Sequence, residues 1–335
     1  MTGLNTFMSP YREHRAVRLM DEISGWFGAS AFVTYAFHLG PLPDLELVHE
    51  FPDELYELAG GKEKMEEFRL AMKALAEESN FLDFVRRWQP HYEAWADQAV
   101  RGTDLERVER WLTGFSGTSP SEFHVVLSPV LVDMAFGPSV SDKDKGLIPY
   151  QTISCTGRAG EPVFASGRGL ETLALHELGH SFVNPALAPY AERIDAFSPL
   201  AEDVRDQMIS EGNGPLPRGF VVENVLRAIT SRAEGEIYGA RFGKSRIGVH
   251  KSRGYYLVGL LTRDFDEYAA NRAKYPTFAD FVPTLLDRIE TYRAMEGTRW
   301  RLWMMENWRT SVIVILGAAL LVAIVKIQSR WLASQ

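Results

Sequence analysis

Residues 176 to 180 read His-Glu-Leu-Gly-His, an H-E-x-x-H unit. On an α-helix, residues four apart differ in direction by only about 40°, so His176 and His180 offer two imidazoles to one divalent ion. Glu177 lies about 100° around the helix from His176, beside such an ion without ligating it. A zinc ion with three protein ligands keeps a fourth position for water, lowers the pKa of that water towards about 7, and lets a neighbouring carboxylate take its proton. The expected cofactor is therefore Zn2+, and Glu177 is the expected general base, returning the proton to the leaving amine in the second half of the reaction.

A third ligand has to come from elsewhere. The continuation after His180 is SFVNPAL, so the short H-x-x-G-x-x-H pattern is absent, and His250 is the only histidine further on. Two carboxylates compete. Glu223 stands in GFVVENVLRAITSR among Phe220, Val222, Val225, Leu226 and Ile229, an apolar setting in which a charged residue requires a partner, and Arg227 follows four residues later. Glu202, in AEDVRDQM, is the rival, with Asp206 four residues on, in a far more polar setting. Glu223 is the first choice. Asn184, one turn past His180, is a candidate contact to substrate or to a ligand, its plainer role being a helix end. Tyr255 and Tyr256 in SRGYYLVG are candidate donors to the oxyanion of an attacked carbonyl, as are Tyr238 and His250, with packing the plainer role of each.

These residues need a scaffold. Apolar residues at three- and four-residue spacing predict helices from about 12 to 115, interrupted at GPLPD and AGGK. After GFSGTSPS, the segments EFHVVLSPVLVDMAF and YQTISCTG are rich in β-branched and aromatic residues and predict a small sheet, with GPSVSDKDKG between them as turn chemistry. FHVVLSPVL is a candidate edge strand for an extended substrate. The motif helix is expected to end at Pro185, and helical segments follow from 199 to about 295. Strands followed by helices give an α+β class: a mainly helical region at 1–115, the domain bearing the motif at 116–298, and a C-terminal segment at 299–335.

The composition is that of a globular chain, 46% hydrophobic and 24% charged, with a net charge of −8. That balance argues against nucleic acid as a partner, because phosphate binding needs clustered Lys and Arg. The single cysteine, Cys155, excludes an intrachain disulfide. The first residues carry no basic segment leading into an apolar run, so no secretory signal is expected. Near the other end, residues 310–325 are 16 positions without a charge, flanked by Arg309 and Lys326 and by Trp308 and Trp331. This predicts a single-pass anchor in a lipid bilayer, with the catalytic part on the cytoplasmic side, although about 24 Å of helix is short for a hydrocarbon core of roughly 30 Å.

HELGHSFVNP, VVENVLRA and RGYYLVGLLTRDFDEYAANRAKYPTFADFVP together resemble a family of bacterial zinc-metallopeptidase-like proteins known as a domain of unknown function, over roughly residues 12 to 292. Its members usually look exported, and this chain departs from them in its missing signal and its apolar tail. The resemblance extends to the glutamate-ligated zinc peptidases, and implies a zincin-like domain with His176, His180 and Glu223 on the metal and Glu177 as base. The resulting expectation is a membrane-anchored zinc peptidase acting on a polypeptide. The alternatives are a non-catalytic zinc-binding protein and a membrane-anchored interaction protein with a vestigial site.

Overall fold

A computed structural model describes residues 2–294, apart from 25–27, 133–134, 157–161, 203 and 211–216. The chain divides into two compact units, residues 1–185 and 186–335.

The first unit opens with helices α1 (Thr2–Met8), α2 (Arg15–Ser24), α3 (Ala29–Phe37), α4 (Asp53–Ala59), α5 (Lys62–Glu78), α6 (Phe81–Val100) and α7 (Leu105–Ser116). In α5 the helical period selects the core face: Met65, Phe68, Ala71 and Leu75 are buried and pack with Leu19 of α2 and Tyr35 of α3. Helix α7 starts where the Asp104 side chain accepts from the Arg107 N–H, and stops at Gly117, whose φ of 72° suits a residue without a Cβ.

Four strands follow: β1 (His124–Val132), β2 (Ala135–Phe136), β3 (Ser139–Asp142) and β4 (Gly146–Cys155). β4 is central, parallel to β1 and antiparallel to β2 and β3. The stretch GPSVSDKDKG was expected to be turn throughout, yet its SVSD part is β3. Val140 points inward with 1% exposure, and only the KDK that follows turns, Asp142 Oδ1 accepting from the Asp144 and Lys145 N–H groups. Helix α8 (Arg168–Leu187) carries the H-E-x-x-H residues and packs on the sheet through Leu170, which clusters with Ile153 and Cys155 of β4, Phe164, and Ala99 of α6. It runs two residues past Pro185 instead of stopping there. Proline forfeits the hydrogen bond of its own N–H and crowds the carbonyl four residues back, a cost confined here to the last turn.

The second unit holds α9 (Ala191–Asp195), α10 (Ser198–Glu202), α11 (Arg205–Ser210), α12 (Pro217–Tyr238), α13 (Ala240–Ser252), α14 (Val258–Ala270) and α15 (Phe278–Ala294). Helix α12 is its axis, packed on α13 and α14 with Val221, Val225, Leu226, Ala228 and Ala233 fully buried. The α12/α13 contact is close enough that a Cβ on Gly243 would lie 2.7 Å from the Gly235 Cα.

The expected single-pass anchor, and with it the cytoplasmic placement relative to a membrane, is not upheld. Among the described residues no helix is long and apolar enough to cross a membrane, and residues 310–325 lie outside the described residues. The sequence carries the physical reason against a span: even if wholly helical, 16 residues would reach roughly 6 Å less than a hydrocarbon core is thick.

Candidate metal centre

Helix α8 is unusual in having little amphipathic character: Leu170, Ala174, Leu175, Leu178, Val183 and Leu187 are all buried, and so are Glu171, Glu177 and Ser181. A buried carboxylate is costly without a partner. For Glu171 the partner is evident: it accepts from the Asp104 N–H at 2.9 Å and from the Arg107 guanidinium at 2.6 Å. This pair ties the first turn of α8 to the start of α7, where a negative charge also suits the positive end of the helix dipole.

Half-buried His176 and His180 lie one turn apart on the exposed side of α8, their rings 5.2 Å apart between centroids and nearly perpendicular. Asn184 stands one turn further on, its Oδ1 3.2 Å from His180 Nδ1. With the proton on Nδ1, His180 donates to Asn184, and the lone pair of Nε2 is left for a metal. Asn184 thus acts on the ring of His180, one of the two roles its position suggested.

Glu177 is 8% exposed. The backbone of Gly137, between β2 and β3, comes against its carbonyl so closely that a Cβ there would sit 1.8 Å from the Glu177 O. Only glycine permits that approach. The edge of the sheet is thereby pressed on the residue expected to move protons. Nothing in the local sequence around Gly137 signals this contact, since a glycine next to a proline reads as a turn.

Glu223 is on α12, 8% exposed, with Arg227 Nη2 3.0 Å from its Oε2. One nitrogen of each of His176 and His180 and one carboxylate oxygen of Glu223 lie within 4.8 Å of one another. The rival Glu202 is spent differently. At the end of α10, 67% exposed, it pairs with Arg205 at 2.9 Å. The donor set fits zinc: two imidazoles and a carboxylate, half-buried or buried. Bond lengths of about 2.0–2.2 Å put ligand atoms of a tetrahedral ion roughly 3.4 Å apart, so binding an ion would draw these atoms closer together.

The tyrosines sit in the turn before α14. Tyr255 is fully buried, its ring under the Arg227 guanidinium at 4.0 Å and edge-on to His250. The Tyr256 hydroxyl donates to the Leu200 carbonyl at 2.5 Å. His250 is 3% exposed, and neither ring nitrogen has a hydrogen-bond partner among the described residues. Burial, reinforced by Arg227, Arg246 and Arg253, pushes its pKa down to about 3, so it is neutral at physiological pH. Asn224, which sequence reasoning passed over beside Glu223, is completely buried: its amide donates to the Phe220 carbonyl, and its Oδ1 accepts from the Leu257 N–H at 3.0 Å. An asparagine inside an apolar helical run was the available signal.

The family described as Domain of unknown function (DUF4932) matches residues 2–288. No curated protein and no solved structure matches the chain.

Proposed function

The chain belongs to the DUF4932 family, and we propose that it is a zinc-dependent hydrolase of peptide bonds built on a zincin-like α+β core. The observation that carries the reading is the convergence of His176, His180 and Glu223 ligand atoms to within 4.8 Å, beside a buried Glu177. His176 Nε2 or Nδ1, His180 Nε2 and a Glu223 oxygen would hold the ion. Zinc, when bound, supplies a water of lowered pKa and polarises the carbonyl to be attacked.

The chain's own groups do the remaining work. The Glu177 carboxylate accepts the water proton and passes it to the departing amine nitrogen, so its buried setting serves both halves of the transfer. Asn184 keeps the His180 ring in the tautomer that presents Nε2. The short strand β2 ends next to Gly137 and the Glu177 backbone. A sheet edge so close to the base favours a polypeptide in extended form as substrate, held by main-chain hydrogen bonds.

Zinc content of the purified protein and the turnover of a mixed peptide library test the proposal. We expect about one zinc per chain. We expect Glu177→Ala to retain the metal while kcat/KM falls by about 100- to 10,000-fold, the usual contribution of a general acid or base. A metal-free unaltered protein, or a Glu177→Ala variant of full activity, would overturn it.

A further inference from the structure

Resting on that reading of the metal centre, we infer that Arg227 is a positioning residue for the third ligand, held in place by a clamp whose other jaw is Tyr255. Four observations within the second unit close the clamp. The Arg227 guanidinium is 3.0 Å from Glu223 Oε2. Its Cζ lies over the Tyr255 ring, 4.0 Å from the centre. The turn carrying Tyr255 is fastened to α12 through Asn224, the neighbour of Glu223, whose Oδ1 accepts from the Leu257 N–H. The His250 ring stands nearly perpendicular to that of Tyr255, with 6.3 Å between centroids, and the Tyr255 N–H donates to the His250 carbonyl at 3.1 Å.

The consequence concerns geometry more than charge. A glutamate has three rotatable bonds and, left to itself on a helix, samples many orientations, each of which would have to be given up on binding a metal. Arg227 lies one turn along the same helix from Glu223, and its charge beside one carboxylate oxygen biases the orientation of the carboxylate before the ion arrives. An arginine in that place needs support of its own, because four side-chain torsions separate its charge from the backbone. The flat face of Tyr255 gives that support through cation-π attraction and stacking, to which the point charge of a lysine is less suited. His250, neutral and buried, packs against the tyrosine without bringing a second cation to it. Tyr255 accordingly works through its ring face.

The test is zinc affinity, measured by competition with a chromophoric chelator on the full chain, together with the visible spectrum of the Co2+-substituted protein and its thermal midpoint. Arg227→Gln is expected to weaken zinc binding about 10- to 100-fold, the usual effect of losing such a partner, and to alter the Co2+ bands. Arg227→Lys should recover only part of the loss. Tyr255→Phe, which keeps the ring, should bind zinc like the unaltered protein, whereas Tyr255→Leu should fall with Arg227→Gln. Zinc affinity and Co2+ spectra unchanged in Arg227→Gln would overturn the inference while leaving the metal centre standing. Zinc bound by Tyr255→Leu as tightly as by the unaltered protein would overturn the part of the clamp assigned to the tyrosine ring. Absence of zinc from the unaltered protein would instead remove the reading on which the inference rests.

Discussion

A histidine buried without a polar partner has a measurable signature, and His250 is the case in point. Its folded pKa is about 3, against an unfolded value of about 6.5. Above pH 6.5 both states are neutral and the group contributes nothing to the pH dependence. As pH falls below 6.5, the unfolded chain takes up a proton that the folded chain refuses, so stability drops, by up to about 1.4 kcal/mol per pH unit, until about pH 3. In the metal-free protein, His250→Phe should therefore flatten the decline in urea midpoint between pH 6 and 4. An acid limb identical to that of the unaltered chain would mean that His250 titrates normally. At the same scale the fates of Glu202 and Glu223 illustrate how a carboxylate is chosen. An exposed glutamate finds an arginine three residues on and gains little, while a buried one among apolar neighbours has to be matched by something that repays its lost hydration.

At the level of elements, α8 is held at its first turn and at its middle. Glu171 ties its first turn to the start of α7. Leu170 anchors it on β4 and α6. Gly137 abuts its middle at Glu177. The last contact is backbone against backbone, so it cannot yield by a side-chain rotation. Gly137→Ala should cost about 1–3 kcal/mol of stability, the usual cost of overpacking, and should reduce activity more than its stability loss explains, because the displaced partner is the segment carrying Glu177. Thermal denaturation and kcat/KM at a temperature where the variant remains folded check this; a Gly137→Ala protein with normal stability would show the approach to be looser than described. The helices and strands themselves were largely legible, since burial in α5 and α12 follows the apolar spacing. β3 was not, because four residues rich in serine look like turn until their partner strand is known.

For the molecule as a whole, a site that assembles on folding couples metal binding to stability. If zinc binds the folded chain and not the unfolded one, a concentration 100 times the dissociation constant adds about 2.7 kcal/mol, and a strong chelator should lower the melting temperature by several degrees. The shift should vanish in Glu223→Ala and persist in Glu202→Ala. Equal chelator sensitivity in the two variants would separate Glu223 from the metal. The family match extends over residues 2–288, so both compact units belong to what the family shares.

The sequence by itself determined the pairing of His176 with His180 and the offset of Glu177, because the helical repeat converts a spacing of four into a common face and needs no distant contact. It also determined that Glu223 would need a partner, from the apolar company it keeps. Only the tertiary structure decided which carboxylate came within 4.8 Å of the imidazoles, that Gly137 would press on Glu177, and that Tyr255 would lie under Arg227. Those contacts join residues separated by 28 to 47 positions of chain. Their formation depends on how whole elements pack, a global balance of burial that no short stretch of residues encodes.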